Sequence, residues 1–109
     1  MYKVDDSFFG LLGLAVKAGA CKAGTKAVLD TIRQGKAFAV FFVEDVGADT
    51  AKKLTDSGAY YGVEPRRLMC TKQKLGASCG KADTACVSIT QQGLAEALLA
   101  KLRQTEGGN

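Results

Sequence analysis

The sequence predicts an α/β fold: a three-layer α/β/α sandwich around a small, mostly four-stranded mixed sheet. Three observations predict it. The chain of 109 residues is 47% hydrophobic and 24% charged, the balance of a globular protein with an ordinary core. The run "AFAVFFV" at 37–43 is continuously apolar, as a strand covered on both faces requires. Segments of helical period alternate with short strand-like segments along the chain, the pattern of a sheet flanked by helices.

The first helix is expected between Asp5 and Gly19. Phe8, Leu11, Leu12, Ala15 and Val16 form one stripe, with Ser7 as its N-cap. Ala20–Ala23 is short enough to add a fourth strand. "GTKAVLDTIRQ" (24–34) is the second helix, with Val28, Leu29 and Ile32 inward and Gly35 as its stop. The buried strand at 37–43 follows. Asp49 to Tyr61 is helical and ends at Gly62. "RRLMCT" (66–71) and "TACVSIT" (84–90) read as strands, with "TKQKLGASCG" (71–80) as a short helix between them. Gln91 to Arg103 closes the fold as a helix. This organisation is one domain over 1–104, followed by "TEGGN" (105–109) as a flexible tail.

Several function classes drop out. No apolar stretch approaches the roughly 18 residues of a membrane span. Acids precede the first apolar run, unlike a secretory leader, so a cytoplasmic location is expected. There is no histidine, which removes Ser-His-Asp and Cys-His catalysis. The four cysteines, Cys21, Cys70, Cys79 and Cys86, form no C-x-x-C pair and no zinc spacing. They are expected to be buried thiols acting as small hydrophobes, with no metal, no disulfide and no cofactor.

Charge is segregated. Net charge is +4, from 15 basic and 11 acidic residues. Ser7 to Leu29 carries Lys17, Lys22 and Lys26 and no acid; Pro65 to Ala82 carries Arg66, Arg67, Lys72, Lys74 and Lys81 and no acid. These two segments together exceed the net charge, so the remainder is acidic on balance. If the segments meet in space, they form one positive surface suited to a polyanion.

One stretch raises a specific question. "GACKAGTK" (19–26) spaces Gly19 and Gly24 like a nucleotide-binding P-loop, but Thr25 stands where the lysine is required and Lys26 follows it. The preceding "FFGLLGLAVKA" has helical rather than strand period, so the context of a P-loop is missing. The remaining reading is an anion site at a helix start. Gly24 lets a ligand backbone approach, the first amides of the helix lack internal partners, and Lys22 and Lys26 flank them.

The order of these pieces resembles the kink-turn RNA-binding ribosomal protein superfamily, and within it the small bacterial ribosomal-protein-like members. "LGLAVKAG", the "AG" before the second helix, "VFFVEDVGADTAKKL", "TKQKLGASCGK" and "ACVSIT" carry the likeness, from about Phe8 to Ala100. The resemblance implies a non-catalytic protein that holds structured RNA with sharply bent, sheared G·A-containing helices. It implies ribosomal or translation-associated RNA as partner and a monomer. The family's RNA-reading helix opens G-x-N-E-x-x-K. Gly24 keeps the glycine, with Thr25 beside it. Lys26 holds the asparagine position, Ala27 the glutamate position and Asp30 the lysine position, a reversal of charge that implies altered recognition. Lys72 carries over from the loop-and-helix segment. Lys81, Ala82 and Asp83 occupy the loop that covers an extruded nucleotide in the family. The fold implied by the resemblance brings Lys22, Lys26, Lys72 and Lys81 into one patch.

Two other classes stay open at the sequence level. One is an enzyme binding a nucleotide or small phosphate at the Gly19–Lys26 loop, with Cys21 as a thiol activated by the helix N-terminus. The other is a protein-interaction scaffold with reduced RNA affinity, suggested by Asp30.

Overall fold

The computed structural model describes residues 1–104; the tail expected at 105–109 lies outside the described residues. The elements run β1 (Tyr2–Lys3), α1 (Asp6–Lys17), β2 (Cys21–Ala23), α2 (Thr25–Arg33), β3 (Ala39–Val43) and α3 (Ala48–Tyr61). They continue with β4 (Pro65–Leu68), α4 (Lys72–Ser78), β5 (Cys86–Ile89), α5 (Gln92–Leu99) and β6 (Arg103–Gln104). The strands form one mixed sheet in the order β2-β5-β3-β4-β1-β6. β4 pairs in parallel with β3 and β1, and the other pairings are antiparallel. The α/β/α class therefore holds, with six strands among the described residues rather than four. The two additional strands, β6 at the edge and β1 just inside it, have two residues each, too short for alternation to announce them.

All five residues of β3 are buried, which explains its unbroken apolar run. Alternation along it feeds two cores. Ala39, Phe41 and Val43 join Phe8, Leu12 and Ala15 of α1, Leu75 of α4 and Leu98 of α5. Val40 and Phe42 join Val28, Leu29 and Ile32 of α2 and Leu54 of α3. The sheet thus carries α1, α4 and α5 on one face and α2 and α3 on the other. The second layer holds one buried polar link: the Ser88 and Thr31 hydroxyls lie 2.7 Å apart, and the Thr31 hydroxyl donates to the Val28 carbonyl at 2.8 Å.

Three local expectations are corrected. The N-cap of α1 is Asp5, not Ser7. The Asp5 carboxylate accepts from the Ser7 and Phe8 amides at 3.0 and 3.2 Å and from the Ser7 hydroxyl at 2.6 Å. A carboxylate one residue before the helix reaches amides that a hydroxyl already inside its first turn does not. The strand expected at 66–71 ends at Leu68, because Thr71 turns to cap α4 by accepting from the Lys74 amide. The closing helix ends at Leu99 rather than Arg103, because Arg103 and Gln104 pair with Lys3 and Tyr2 of β1.

Candidate nucleic-acid interface

The candidate interface lies at one end of the sheet, where β2 hands over to α2 and where β5 begins. Gly24 is the N-cap of α2 at φ +101°, a backbone conformation that an L side chain rarely adopts. Its own amide donates to the Cys86 carbonyl at 3.0 Å, tying the helix start to the first residue of β5. No side chain caps the helix. The opening turn, which starts at Thr25, Lys26 and Ala27, therefore presents amide donors and the positive end of the helix dipole.

The side chains around this turn divide in orientation. The Thr25 hydroxyl accepts a weak bond from the Cys86 thiol at 3.9 Å, so it faces the sheet. Lys26 points outward, its side chain 92% exposed, and its ammonium lies 3.4 Å from the Asp30 carboxylate. Across so exposed a pair the attraction is screened and worth little, so Lys26 stays available to a more highly charged partner. Lys22 is exposed on β2, the strand at one edge of the sheet.

The second half of the site is the 79–84 segment. Lys81, Ala82 and Asp83 are exposed, while Thr84 is buried and its amide donates to the Lys72 carbonyl at 3.1 Å. The Lys81 amide donates to the Gly76 carbonyl at 2.9 Å. A β-carbon on Gly76 would collide with the backbone carbonyl of Ala82, so the loop lies flat against α4 only because that residue is glycine. Sequence reasoning missed this seat. The signal was present: a glycine inside the short helix "KQKLGAS" costs helix stability and marks a close backbone approach.

Cys21 joins the two halves. Its thiol is held well above the usual thiol range by a hydrogen bond to Cys79 and by burial, and the Lys22 and Lys81 charges, which oppose this, both act on it. The same hydrogen bond from Cys21 lowers Cys79. Lys22 and Lys81, distant in sequence, thus both exert their charge on one thiol. The activated Cys21 of the enzyme reading is overturned, because Cys21 faces the α1 layer and Cys79 rather than the amides of α2. All four cysteines are free thiols. Among the described residues no cluster of three or more Cys, Asp or Glu is placed to hold a metal.

Not every cation of the basic segments converges here. Lys74 lies 4.9 Å above the Phe9 ring of α1. Arg66 donates to the Tyr2 hydroxyl at 2.9 Å and pairs with Glu64 at 3.7 Å. Arg67 lies over the Phe42 ring. Backbone bonds thus set Gly24, Thr25 and Lys26 beside the start of β5 and tie Lys72 and the Lys81, Ala82, Asp83 loop to its approach, with Lys22 two residues before Gly24 on β2, while Arg66, Arg67 and Lys74 are engaged elsewhere. Glu44 and Asp45 close the end of β3 nearby, where their charges help burial hold Cys70 at about 11.

Comparison with known proteins is consistent with this geometry. The sequence model of the Ribosomal protein L7Ae/L30e/S12e/Gadd45 family matches residues 6–99. The chain is 39% identical over 95 residues to the RNA-binding protein YlxQ of Bacillus subtilis (strain 168), covering 87% of this chain and 94% of that one. It is 40% identical over 53 residues to the RNA-binding protein YlxQ of Enterococcus faecium, covering 49% and 52%. Among solved structures, a protein of unknown function from Bacillus halodurans C superposes with a TM-score of 0.81 at 28% identity, over 88% of this chain and 96% of that one. The Giardia lamblia 15.5kD RNA binding protein shares the fold, with a TM-score of 0.69 at 22% identity over 89% and 88% of the two chains.

Proposed function

Because the chain belongs to the Ribosomal protein L7Ae/L30e/S12e/Gadd45 family, we propose that the Gly24 end of its sheet is the surface that grips structured RNA of the kink-turn type. The protein is a non-catalytic RNA-binding protein. The observation that carries the assignment of the site is the tie between Gly24 and Cys86, which sets an uncapped helix start beside the loop at 81–83. Backbone amides and the exposed Lys22, Lys26 and Lys81 take phosphates, and Lys26 is placed to reach a base edge. A lysine there is a donor only, so it reads acceptor atoms such as those of guanine and not the mixed edge of adenine.

The same reading places the protein on ribosomal or other translation-associated RNA, as a monomer in the cytoplasm. The ribosomal character of the family supports the first part. Among the described residues no helix is long and apolar enough to cross a membrane.

Binding of a minimal kink-turn RNA, measured across a salt series for the natural chain and for Lys26→Ala, tests the site. The expected loss is about 1–3 kcal/mol, with a shallower salt dependence. Equal affinity of the two proteins would remove Lys26 from the interface. Failure of the natural chain to bind any kink-turn RNA would overturn the RNA class itself.

A further inference from the structure

We propose that the uncovered half of the sheet on the α2–α3 side is a second RNA-binding surface, in which Lys3, Arg67 and Arg103 hold the phosphate backbone of a duplex that extends beyond the Gly24 end. The inference rests on the RNA-binding reading and adds a site to it.

Strand register puts the three cations together. Arg67 pairs with Phe42, and Phe42 belongs to the core under α2 and α3. Tyr2 pairs with Leu68, which belongs to the opposite core. Successive residues of a strand alternate faces, so Lys3 shares the face of Arg67. Arg103 stands directly opposite Lys3 in the antiparallel pairing of β1 and β6. Neighbours of this kind have β-carbons about 5–8 Å apart, within reach of one stretch of polyanion.

Nothing among the described residues covers these side chains. Lys3, Arg67, Met69 and Arg103 are all exposed, Met69 by 42% despite its apolar chain. The Arg67 guanidinium lies 5.4 Å from the Phe42 ring centroid, a cation–π contact that keeps it on this face. A depression of about 210 Å³ lined by Lys3, Val4, Asp5 and Arg103 adjoins the pair on β1 and β6. The Asp5 carboxylate, which feels the Arg103 charge, is already engaged as the cap of α1. The face stays positive when Asp5 is counted.

Two arguments favour an anionic partner. Like charges directly opposite on paired strands are unfavourable, and Lys3 against Arg103 is such a pair. Charge on an edge strand also discourages unwanted strand addition, which would account for Arg103 alone. It does not account for Arg67, because β4 lies two strands inside that edge. Continuity selects RNA as the occupant. From Arg67 on β4 the chain passes through Met69 and Cys70 to Thr71 and Lys72, the start of the helix against which the candidate RNA loop rests.

The test compares a minimal kink-turn RNA with the same RNA whose flanking duplexes are extended. The protein carrying Lys3→Gln, Arg67→Gln and Arg103→Gln is expected to bind the minimal RNA as the natural chain does. On the extended RNA its log–log salt slope should fall by about 2–3, close to one for each phosphate no longer neutralised. The charge-preserving variant Lys3→Arg, Arg67→Lys, Arg103→Lys should keep the slope, which separates a missing charge from a damaged fold. Unchanged slope and affinity of the glutamine variant on the extended RNA would overturn the second surface while leaving the Gly24 site standing. Absence of binding to the minimal RNA by the natural chain would overturn both.

Discussion

The backbone carbonyl of Ala82 occupies the space that a side chain on Gly76 would need. The loop that presents Lys81, Ala82 and Asp83 is therefore positioned by a glycine in a neighbouring helix and by the bond from the Lys81 amide to the Gly76 carbonyl. Gly76→Ala should cost about 1–3 kcal/mol of stability by overpacking, because the obstruction is backbone and cannot swing aside. RNA affinity should fall with it. Gly13→Ala in α1 is the control, since a β-carbon there meets only the Ser78 carbonyl at an ordinary 3.9 Å. That change should raise stability by about 0.5–1 kcal/mol, as expected in a helix interior. Urea denaturation of the two variants checks the opposite signs.

Asp30 sits one turn beyond Lys26 and draws its ammonium to 3.4 Å. Asp30→Lys removes that competitor and adds a cation at the rim of the candidate site. Affinity for a kink-turn RNA should rise modestly at low salt, with the log–log slope steeper by about one. Flat or reduced affinity would show that this face of α2 does not meet the RNA.

High pH should weaken the fold through its buried thiols. Burial pushes both Cys70 and Cys86 from 9.0 up to about 11; Glu44 and Asp45 add to the effect at Cys70, and the Thr25 hydroxyl opposes it at Cys86. A raised folded-state pKa means that the fold favours the neutral thiol. The resulting stability is complete below pH 9.0 and is lost as pH climbs through about 11. Each thiol contributes on the order of 2 kcal/mol to that decline. Denaturation midpoints measured across this window should fall for the natural chain and fall less for Cys86→Ala.

The Thr31 and Ser88 hydroxyls form a buried polar pair between α2 and β5. Thr31 gives its proton to the Val28 carbonyl, so Ser88 is the donor of the pair. Ser88→Ala should cost about 1–3 kcal/mol by leaving the Thr31 oxygen without that donor. Adding Thr31→Val should cost less than its effect in the natural chain. A double-mutant cycle measures the coupling, and strict additivity would refute the link.

Much of this architecture was legible in the chain. The stripe from Phe8 to Val16, the apolar run ending at Val43 and the glycines at 24, 35 and 62 placed most elements, because each reflects a local periodicity or a backbone conformation. Tyr2–Lys3 and Arg103–Gln104 were not legible, since a two-residue strand has no period to detect. The helix start at Gly24 was legible, and so were Lys22 and Lys26 on either side of it, because a glycine before an apolar helical stripe marks an N-terminus. The seat of the 81–83 loop on Gly76 was not, because it depends on how one backbone rests on another.

The sequence by itself determined the fold class, the start of α2 at Gly24 and the presence of two basic segments. Only the tertiary structure decided which cations act together. Arg66 and Arg67 are consecutive, yet a strand turns them to opposite faces, one to Tyr2 and the other to Phe42. Lys22 and Lys81 are far apart in the chain, yet both act on Cys21. Charge in a sequence is counted along the chain, whereas a polyanion meets it across strands, and pairing register with two-residue alternation converts one into the other.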